Sequence, residues 1–242
     1  MSFLERVDTA LRRSALFRSL FRQPYPADER SRAYGVMNNV FLHLHPVRIR
    51  RESLKITYTF CLGGLSFFMF LLLTVTGVLL MFYYRPATAV AYQDMKDLET
   101  VVTFGMLLRN MHRYSAHAMV ILVFLHMVRV FYTGAYKAPR EFNWVVGVIL
   151  LTLTFLLSFT GYLLPWDQLA IWAVTVGTNM AGATPIVGDT LKFAVVGGYE
   201  IGDNTLIRWY VLHVIALPLL TALFMTVHFW RIRKDGGIAG PL

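Results

Sequence analysis

The chain has 242 residues, 56% of them hydrophobic and 14% aromatic, with a mean hydropathy of +0.52. Its net charge of +9 is uneven, with eleven of the 23 Lys and Arg in the first 55 residues; membrane topology accounts for such a bias, which removes nucleic-acid binding as its explanation. The chain is too apolar in long runs for a soluble domain, and its one cysteine, Cys61, excludes an intrachain disulfide.

Residues 1–55 read as a basic N-terminal extension. Phe3, Leu4, Val7, Leu11, Phe17 and Leu20 alternate at helical spacing with Arg6, Arg13, Arg18 and Arg22. This predicts an amphipathic helix on the membrane surface; a solvated arm or a helix packed on a partner fits equally well. Pro24 and Pro26 end it. The first 50 residues lack the continuous apolar core of a cleavable signal peptide. His43 and His45 form an H-x-H pair, for which neither a metal nor a quinone role has further support.

Residues 56–242 read as a membrane domain with four apolar runs. The first, Tyr58 to Tyr84, carries Cys61, Gly63, Gly64 and Gly77. The second, Leu107 to Tyr132, carries His112, His117 and His126, with Arg109 and Arg113 flanking His112. The third, Trp144 to Leu164, carries Gly147 and Gly161. Pro165 ends it, and an amphipathic stretch follows that can lie along the surface. A long loop is expected over residues 177–204, with Gly197 and Gly198 in it, as a docking surface for partners. The fourth run, Leu206 to Trp230, carries His213 and His228, with Arg233 just beyond. Each run is long enough to cross a bilayer, which takes about 20 residues.

The histidines give the chemistry. His112 and His126 are 14 residues apart, and His213 and His228 are 15 apart. On an α-helix these steps return to within about 40° and 60° of the same face and rise roughly 21–22 Å. That arrangement suits two ligand sites stacked through a membrane. Neutral imidazole is a good axial ligand for haem iron, so the pattern predicts two bis-histidine haems held between two helices. Gly63 and Gly77, and Gly147 and Gly161, repeat the 14-residue spacing on the runs without paired histidines. Glycine there, with Gly64 beside Gly63, would let a flat macrocycle approach the backbone; ordinary small-residue packing is the alternative. His117, five residues after His112, points to another face and reads as structural. Arg109, Arg113 and Arg233 are candidates to neutralise haem propionates, or else interfacial anchors.

The connection between the second and third runs (Arg129, Lys137, Arg140) and the tail (Arg231, Arg233, Lys234) are basic. The other two connections hold Asp94, Asp97, Glu99, Asp167, Asp189, Glu200 and Asp203. The positive-inside rule puts both termini and the basic connection on the cytoplasmic or equivalent face, the n side. The second and fourth runs are then parallel. His112 and His213 share a depth near the opposite, p side, and His126 and His228 share one near the n side.

The stretch LLRNMHRYSAHAMVILVFLHMVRVFYTGAYKAPREFNWVVGVILLTLTFLLSFTGYLLPWDQ resembles the core of the cytochrome b family. FCLGG, MFYYRP, RWYVLHVIALPLLTALFMTVHF and RIRKDGGIAGPL resemble more narrowly its short, four-helix b6 branch, over roughly residues 55–242. The 15-residue histidine spacing and the cysteine of FCLGG favour that branch. The first 50 residues match it poorly.

The resemblance implies an all-α membrane protein with n-side termini, in a bacterial inner or photosynthetic membrane. It implies two haem b groups and a c-type haem held by one thioether to Cys61. It implies quinol oxidation at the p side, one electron going to a Rieske iron–sulfur protein and the other crossing the membrane to reduce quinone at the n side. The segment GYLLPWDQLAIWAVTVGT would line the quinol site through Tyr162, Trp166, Ala173, Val174, Gly177 and Thr178. A P-E-W-Y-like segment is absent from this chain, which implies a subunit-IV-like partner beside the Rieske protein and a cytochrome c-type subunit in a homodimeric complex. A dihaem membrane anchor relaying electrons between a peripheral dehydrogenase and quinone is the competing reading, and PWDQ and the histidine spacing speak against it.

Overall fold

The computed structural model describes residue 7 and residues 28–38 and 55–235. The expected amphipathic segment beyond residue 7 and the pair His43 and His45 lie outside the described residues. The chain divides into two compact units, 1–48 and 49–242. In the first, a helix, α1, runs over Glu29–Asn38, with Arg30 over the Tyr34 ring at 5.9 Å.

The second unit is all-helical among the described residues. A short turn of helix, α2 (Ile56–Thr59), leads through two left-handed residues, Phe60 and Cys61, into α3 (Leu62–Met81). Then come α4 (Ala91–Thr100), α5 (Gly105–Tyr132) and α6 (Glu141–Leu163). They are followed by α7 (Gln168–Gly182), α8 (Gly188–Val196), α9 (Asp203–Val211), a π turn over Leu212–Ala216, and α10 (Leu217–Lys234). Among the described residues, four helices are long and apolar enough to cross a membrane: α3, α5, α6, and the continuous Asp203–Lys234 formed by α9, the π turn and α10.

The bundle is apolar outside, as lipid demands, and among its buried apolar residues it encloses small hydroxyl side chains. Phe68, Leu71, Val75, Phe124 and Leu223 are exposed, whereas Ser66, Thr76, Thr154, Thr160 and Thr221 are buried. Most of these hydroxyls donate to the carbonyl one turn back: Ser66 to Leu62 at 2.8 Å, Thr76 to Leu72 at 2.7 Å, Thr154 to Leu150 at 2.9 Å and Thr221 to Leu217 at 2.7 Å. Small side chains that satisfy their own polarity let membrane helices pack closely.

α3 packs most extensively on α5, and α6 on α10. Gly63 lies against His126 and Gly77 against His112, so α3 and α5 are antiparallel. His112 faces His213 and His126 faces His228, so α5 and the fourth span are parallel.

Where sequence reading expected a loop over 177–204, the chain continues α7 and adds α8. The Asp167 carboxylate caps α7 by accepting from Ala170 N at 2.8 Å. The Tyr84 hydroxyl donates to Leu164 O at 2.7 Å and Thr88 N to the Asp203 carboxylate at 2.7 Å. These bonds tie the α3–α5 connection to the α6–α9 connection at one end of the bundle. Arg85 grips Asp94 there through its backbone N at 2.8 Å, its Nε at 3.1 Å and its Nη2 at 2.5 Å. The guanidinium holds the buried Asp94 carboxyl below the usual carboxylate range.

Candidate functional site

The four paired histidines meet in twos across the bundle. His112 and His213 have ring centroids 6.3 Å apart with planes at 75°, and His126 and His228 are 6.4 Å apart at 79°. An imidazole nitrogen binds a first-row metal at about 2 Å, and the ring centre lies about 1.1 Å behind it. Two imidazoles on opposite sides of one metal therefore have centroids roughly 6 Å apart. No cluster of three or more His, Cys, Asp or Glu occurs among the described residues. A metal between either pair would take two imidazoles from the protein and its remaining ligands from a cofactor.

The 14- and 15-residue spacings are reconciled by the π turn. Leu217 N bonds Leu212 O, five residues back. One such turn absorbs one extra residue. The 15-residue step from His213 to His228 thus keeps the phase of the 14-residue step in α5. Pro218, next along, has no N–H to give to the carbonyl four residues back, and this is the sequence signal for the irregular turn.

Each pair borders a cavity. The larger, about 330 Å³, is lined by Cys61, Gly63, Gly64, Arg129, Arg140 and Gly147, among others, with His126 and His228. The smaller, about 130 Å³, is lined by Gly77, Val78, Ser158 and Pro218, among others, with His112 and His213. Met119 and Thr154 border both cavities and form the wall between the levels.

Three of the predicted glycines sit against histidines. A Cβ on Gly63 would lie 3.2 Å from His126 Cε1, on Gly77 3.2 Å from His112 Cε1, and on Gly161 2.6 Å from His213 Cε1. These glycines admit the imidazole edge itself. Gly147 has Met127 Sδ as its nearest neighbour at 3.6 Å, and Gly64 has nothing within 4 Å; both line the larger cavity.

Two threonines that sequence reasoning missed complete one level. Thr76 Oγ1 lies 2.9 Å from His112 Nδ1, and Thr160 Oγ1 lies 3.0 Å from His213 Nδ1. The signal was available: each precedes a site glycine, giving Thr76-Gly77 on α3 and Thr160-Gly161 on α6. At the other level, His228 Nδ1 is buried with no hydrogen-bond partner among the described residues.

The charges fall differently from the expectation. Arg109 pairs with Glu99 of α4, Arg113 is exposed and Arg233 is half-buried; none of the three borders either cavity. The cations at the larger cavity are Arg129 and Arg140. Arg129 Nε donates to Tyr58 O at 3.1 Å and its guanidinium covers the Tyr58 ring at 4.5 Å, while its Nη2 is buried without a partner among the described residues. Arg140 is 6% exposed, and all three of its side-chain nitrogens lack partners among the described residues. A buried guanidinium such as that of Arg140, with none of its nitrogens partnered among the described residues, calls for an anion. A fully buried position in a connection is the structural mark that sequence alone did not give.

Cys61 is the left-handed residue before α3, and its thiol is free and borders the larger cavity. His117 is exposed, edge-on to Tyr114. Around α7 the predicted surface splits. Tyr162 is exposed, and Trp166, Ala173 and Gly177 are half-buried. Val174 and Thr178 are buried beneath, facing the bundle with Ala170. Gly177 accommodates the Phe159 ring, to which a Cβ would come within 2.9 Å.

Residues 49–236 match the family model described as Cytochrome b/b6/petB. The chain is 45% identical over 198 residues to cytochrome b6 of Heliomicrobium gestii, covering 82% of this chain and 91% of that one. It is 49% identical over 183 residues to cytochrome b6 of Porphyra purpurea, covering 76% and 85%. A chain of a solved hyperthermophilic respiratory Complex III superposes with a TM-score of 0.72 at 28% identity over 97% of this chain. This chain spans 56% of that one's length.

Proposed function

The chain belongs to the cytochrome b/b6 family, and from that premise we propose how its residues serve an integral-membrane, haem-carrying core subunit of a cytochrome b6f/bc-type complex. The observation that carries the proposal is the pair of opposed imidazoles at two levels, each with the centroid separation that one metal requires.

The residues fit haem b at both levels. His112 and His213 would hold one iron, and His126 and His228 the other. Gly63, Gly77 and Gly161 let the imidazoles approach, and Gly64 and Gly147 leave room along the larger cavity. Arg140, unpartnered among the described residues, and Arg129, with one free Nη2, supply positive charge suited to propionates at the His126–His228 level. Bound haem supplies reversible one-electron carriage. The chain's own part is to hold the ligand rings in fixed orientation and to keep water out with the apolar bundle. Met119 and Thr154 set the spacing between the levels.

Cys61, bordering the same cavity as His126, is suited to a single thioether with a further, c-type haem. The basic charge of residues 1–55, the α5–α6 connection and the tail supports an n-side location for both termini, and the family resemblance supports a bacterial inner or photosynthetic membrane. Within a quinol oxidoreductase complex, the chain then serves quinol oxidation at the p side and quinone reduction at the n side, contributing to proton translocation. Tyr162, Trp166, Ala173 and Gly177, over Val174 and Thr178, form its share of the quinol site. A subunit-IV-like chain, a Rieske protein and a cytochrome c-type subunit complete the homodimeric complex.

The test is the haem content of the purified complex. Two extractable haem b groups per chain are expected, together with an intact chain mass raised by one haem that Cys61→Ser restores to the bare polypeptide. One or no haem b per chain would overturn the dihaem reading; an unmodified wild-type mass would overturn only the covalent group.

A further inference from the structure

The turn from α6 into α7 is tight and strained, and a side chain from another part of the chain holds it. α6 ends at Leu163 and α7 begins at Gln168, so Leu164 to Asp167 make the whole reversal. Trp166 stands in the left-handed region at φ 51°, which a bulky residue adopts only where its surroundings enforce it. Pro165 has no N–H, and Trp166 N goes to Leu163 O at 3.2 Å. No backbone N–H among the described residues bonds the Leu164 carbonyl. The Tyr84 hydroxyl, from just beyond α3, takes that place at 2.7 Å. The same side chain is 7% exposed and forms a cluster with Ala91 and Leu206, against which Leu164, Trp166 and Tyr210 pack. Past the turn, Asp167 caps α7. Ala170, Val174 and Thr178 are buried, and they fix which face of α7 meets the bundle. Trp166, Ala173 and Gly177 are thus carried by a turn whose one open carbonyl is held from outside.

Resting on the quinol-site reading above, we infer that Tyr84 is a positioning residue for that site: through its bond to the Leu164 carbonyl it fixes the strained turn at Trp166, and with it the disposition of α7 towards a bound quinol. The hydroxyl bonds the backbone that carries the lining residues, not their side chains. Without it the Leu164 carbonyl has no protein donor, and water must enter the turn to supply one. A hydrated turn relaxes the left-handed Trp166 and lets α7 shift on the bundle. The quinol then meets a lining that is present but loosely placed, so binding suffers before the haems do.

The experiment is steady-state oxidation of tetramethyl-benzoquinol by the purified complex, read as reduction of an added soluble c-type cytochrome, in wild type, Tyr84→Phe and Tyr210→Phe. Tyr84→Phe deletes one oxygen atom and keeps the ring. The expected result is a rise in KM for the quinol of roughly two- to tenfold, the equivalent of one net hydrogen bond, with kcat and haem content retained. Tyr210→Phe deletes the hydroxyl of the ring 5.5 Å from that of Tyr84 and leaves the Leu164 bond in place, so it keeps the wild-type KM. Where Tyr84→Phe does not assemble, Tyr84→Leu carries the same expectation. Ala173→Phe, which crowds the proposed lining itself, separates the inference from the reading beneath it. An unmoved KM in the Tyr84 variants beside impaired quinol oxidation in Ala173→Phe would overturn the inference and leave the quinol site standing. So would a fall in kcat and haem content at unchanged KM. Wild-type kinetics in Ala173→Phe, or a wild-type complex that oxidises neither a benzoquinol nor a naphthoquinol, would overturn the quinol-site reading itself.

Discussion

Gly161→Ala is the sharpest perturbation of the proposed haem sites. The added Cβ would lie 2.6 Å from His213 Cε1, 3.1 Å from Nε2 and 3.2 Å from Nδ1, whereas ordinary contact begins at 3.4 Å. The ring must therefore retreat by about 0.8 Å, the difference between 3.4 and 2.6 Å. Metal–ligand bonds tolerate about 0.2 Å, a quarter of that displacement. Thr160, the neighbouring residue, holds Nδ1 at 3.0 Å and resists the movement. Forcing the methyl in costs about 1–3 kcal/mol, against which alanine regains at most about 1 kcal/mol of helix propensity. The expected result is loss of the haem at the His112–His213 level, with that at the His126–His228 level retained. Gly77→Ala and Gly63→Ala bring Cβ to 3.2 Å, a deficit within the metal-bond tolerance, and should keep both haems with shifted potentials. Haem counts and difference spectra of the purified complexes read the series, with Gly202→Ala, which meets nothing within 4 Å, as the folding control. A Gly161→Ala complex holding two haems with wild-type bands would refute the argument that this glycine makes room for the ligand ring.

Deleting Ile215, an exposed member of the π turn, should convert the turn to α-helix and leave 14 residues between His213 and His228; both haems are expected to remain, and loss of either in the haem count would show that the π turn does more than restore phase. Arg140→Gln should weaken haem retention at the His126–His228 level by roughly 10- to 100-fold, the equivalent of one buried charge-assisted bond, while Arg113→Gln, at an exposed position off both cavities, should change it little in competitive haem extraction. The Asp94 carboxyl is depressed by its bonds with Arg85, so its stabilising contribution is complete above the ordinary carboxylate value of 3.8 and disappears as pH falls through the lower folded value. Asp94→Asn should lower the thermal midpoint at pH 7 and flatten its fall below about pH 4; a wild-type pH profile would argue against the Arg85 pair.

The spans were legible because lipid imposes one rule on composition, and the 20-residue α3 fits the run that contains it. The histidine pairing was legible because 14 steps nearly close four turns. What escaped were features that depend on a facing helix. Thr76 and Thr160 are ordinary threonines until the ring on the neighbouring helix is in place. Arg140 reads as one more basic residue in a loop, and only the packing around it shows a buried cation without a partner among the described residues. Arg109 lies three residues before His112, yet Glu99 on α4, a helix the sequence reading did not anticipate, takes its charge. Residues 177–204 were expected as a long loop carrying Gly197 and Gly198. Gly177 and Gly182 instead stay helical within α7, accommodating Phe159 and Lys192.

The histidine spacing carries the last step. On a uniform helix a 14-residue step stops about 40° short of the starting face and a 15-residue step passes it by about 60°, so the ligands of the two spacings would differ by about 100°. The two nearly equal centroid distances, 6.3 and 6.4 Å, go with a local irregularity that removes this difference. The structure places it at the π turn beginning beside His213, immediately before Pro218. The same turn lies next to the ring held by Thr160 and Gly161. The local departure from α geometry thus preserves the register of the second ligand, and it is the fold's means of stacking two opposed histidine pairs on helices of unequal spacing.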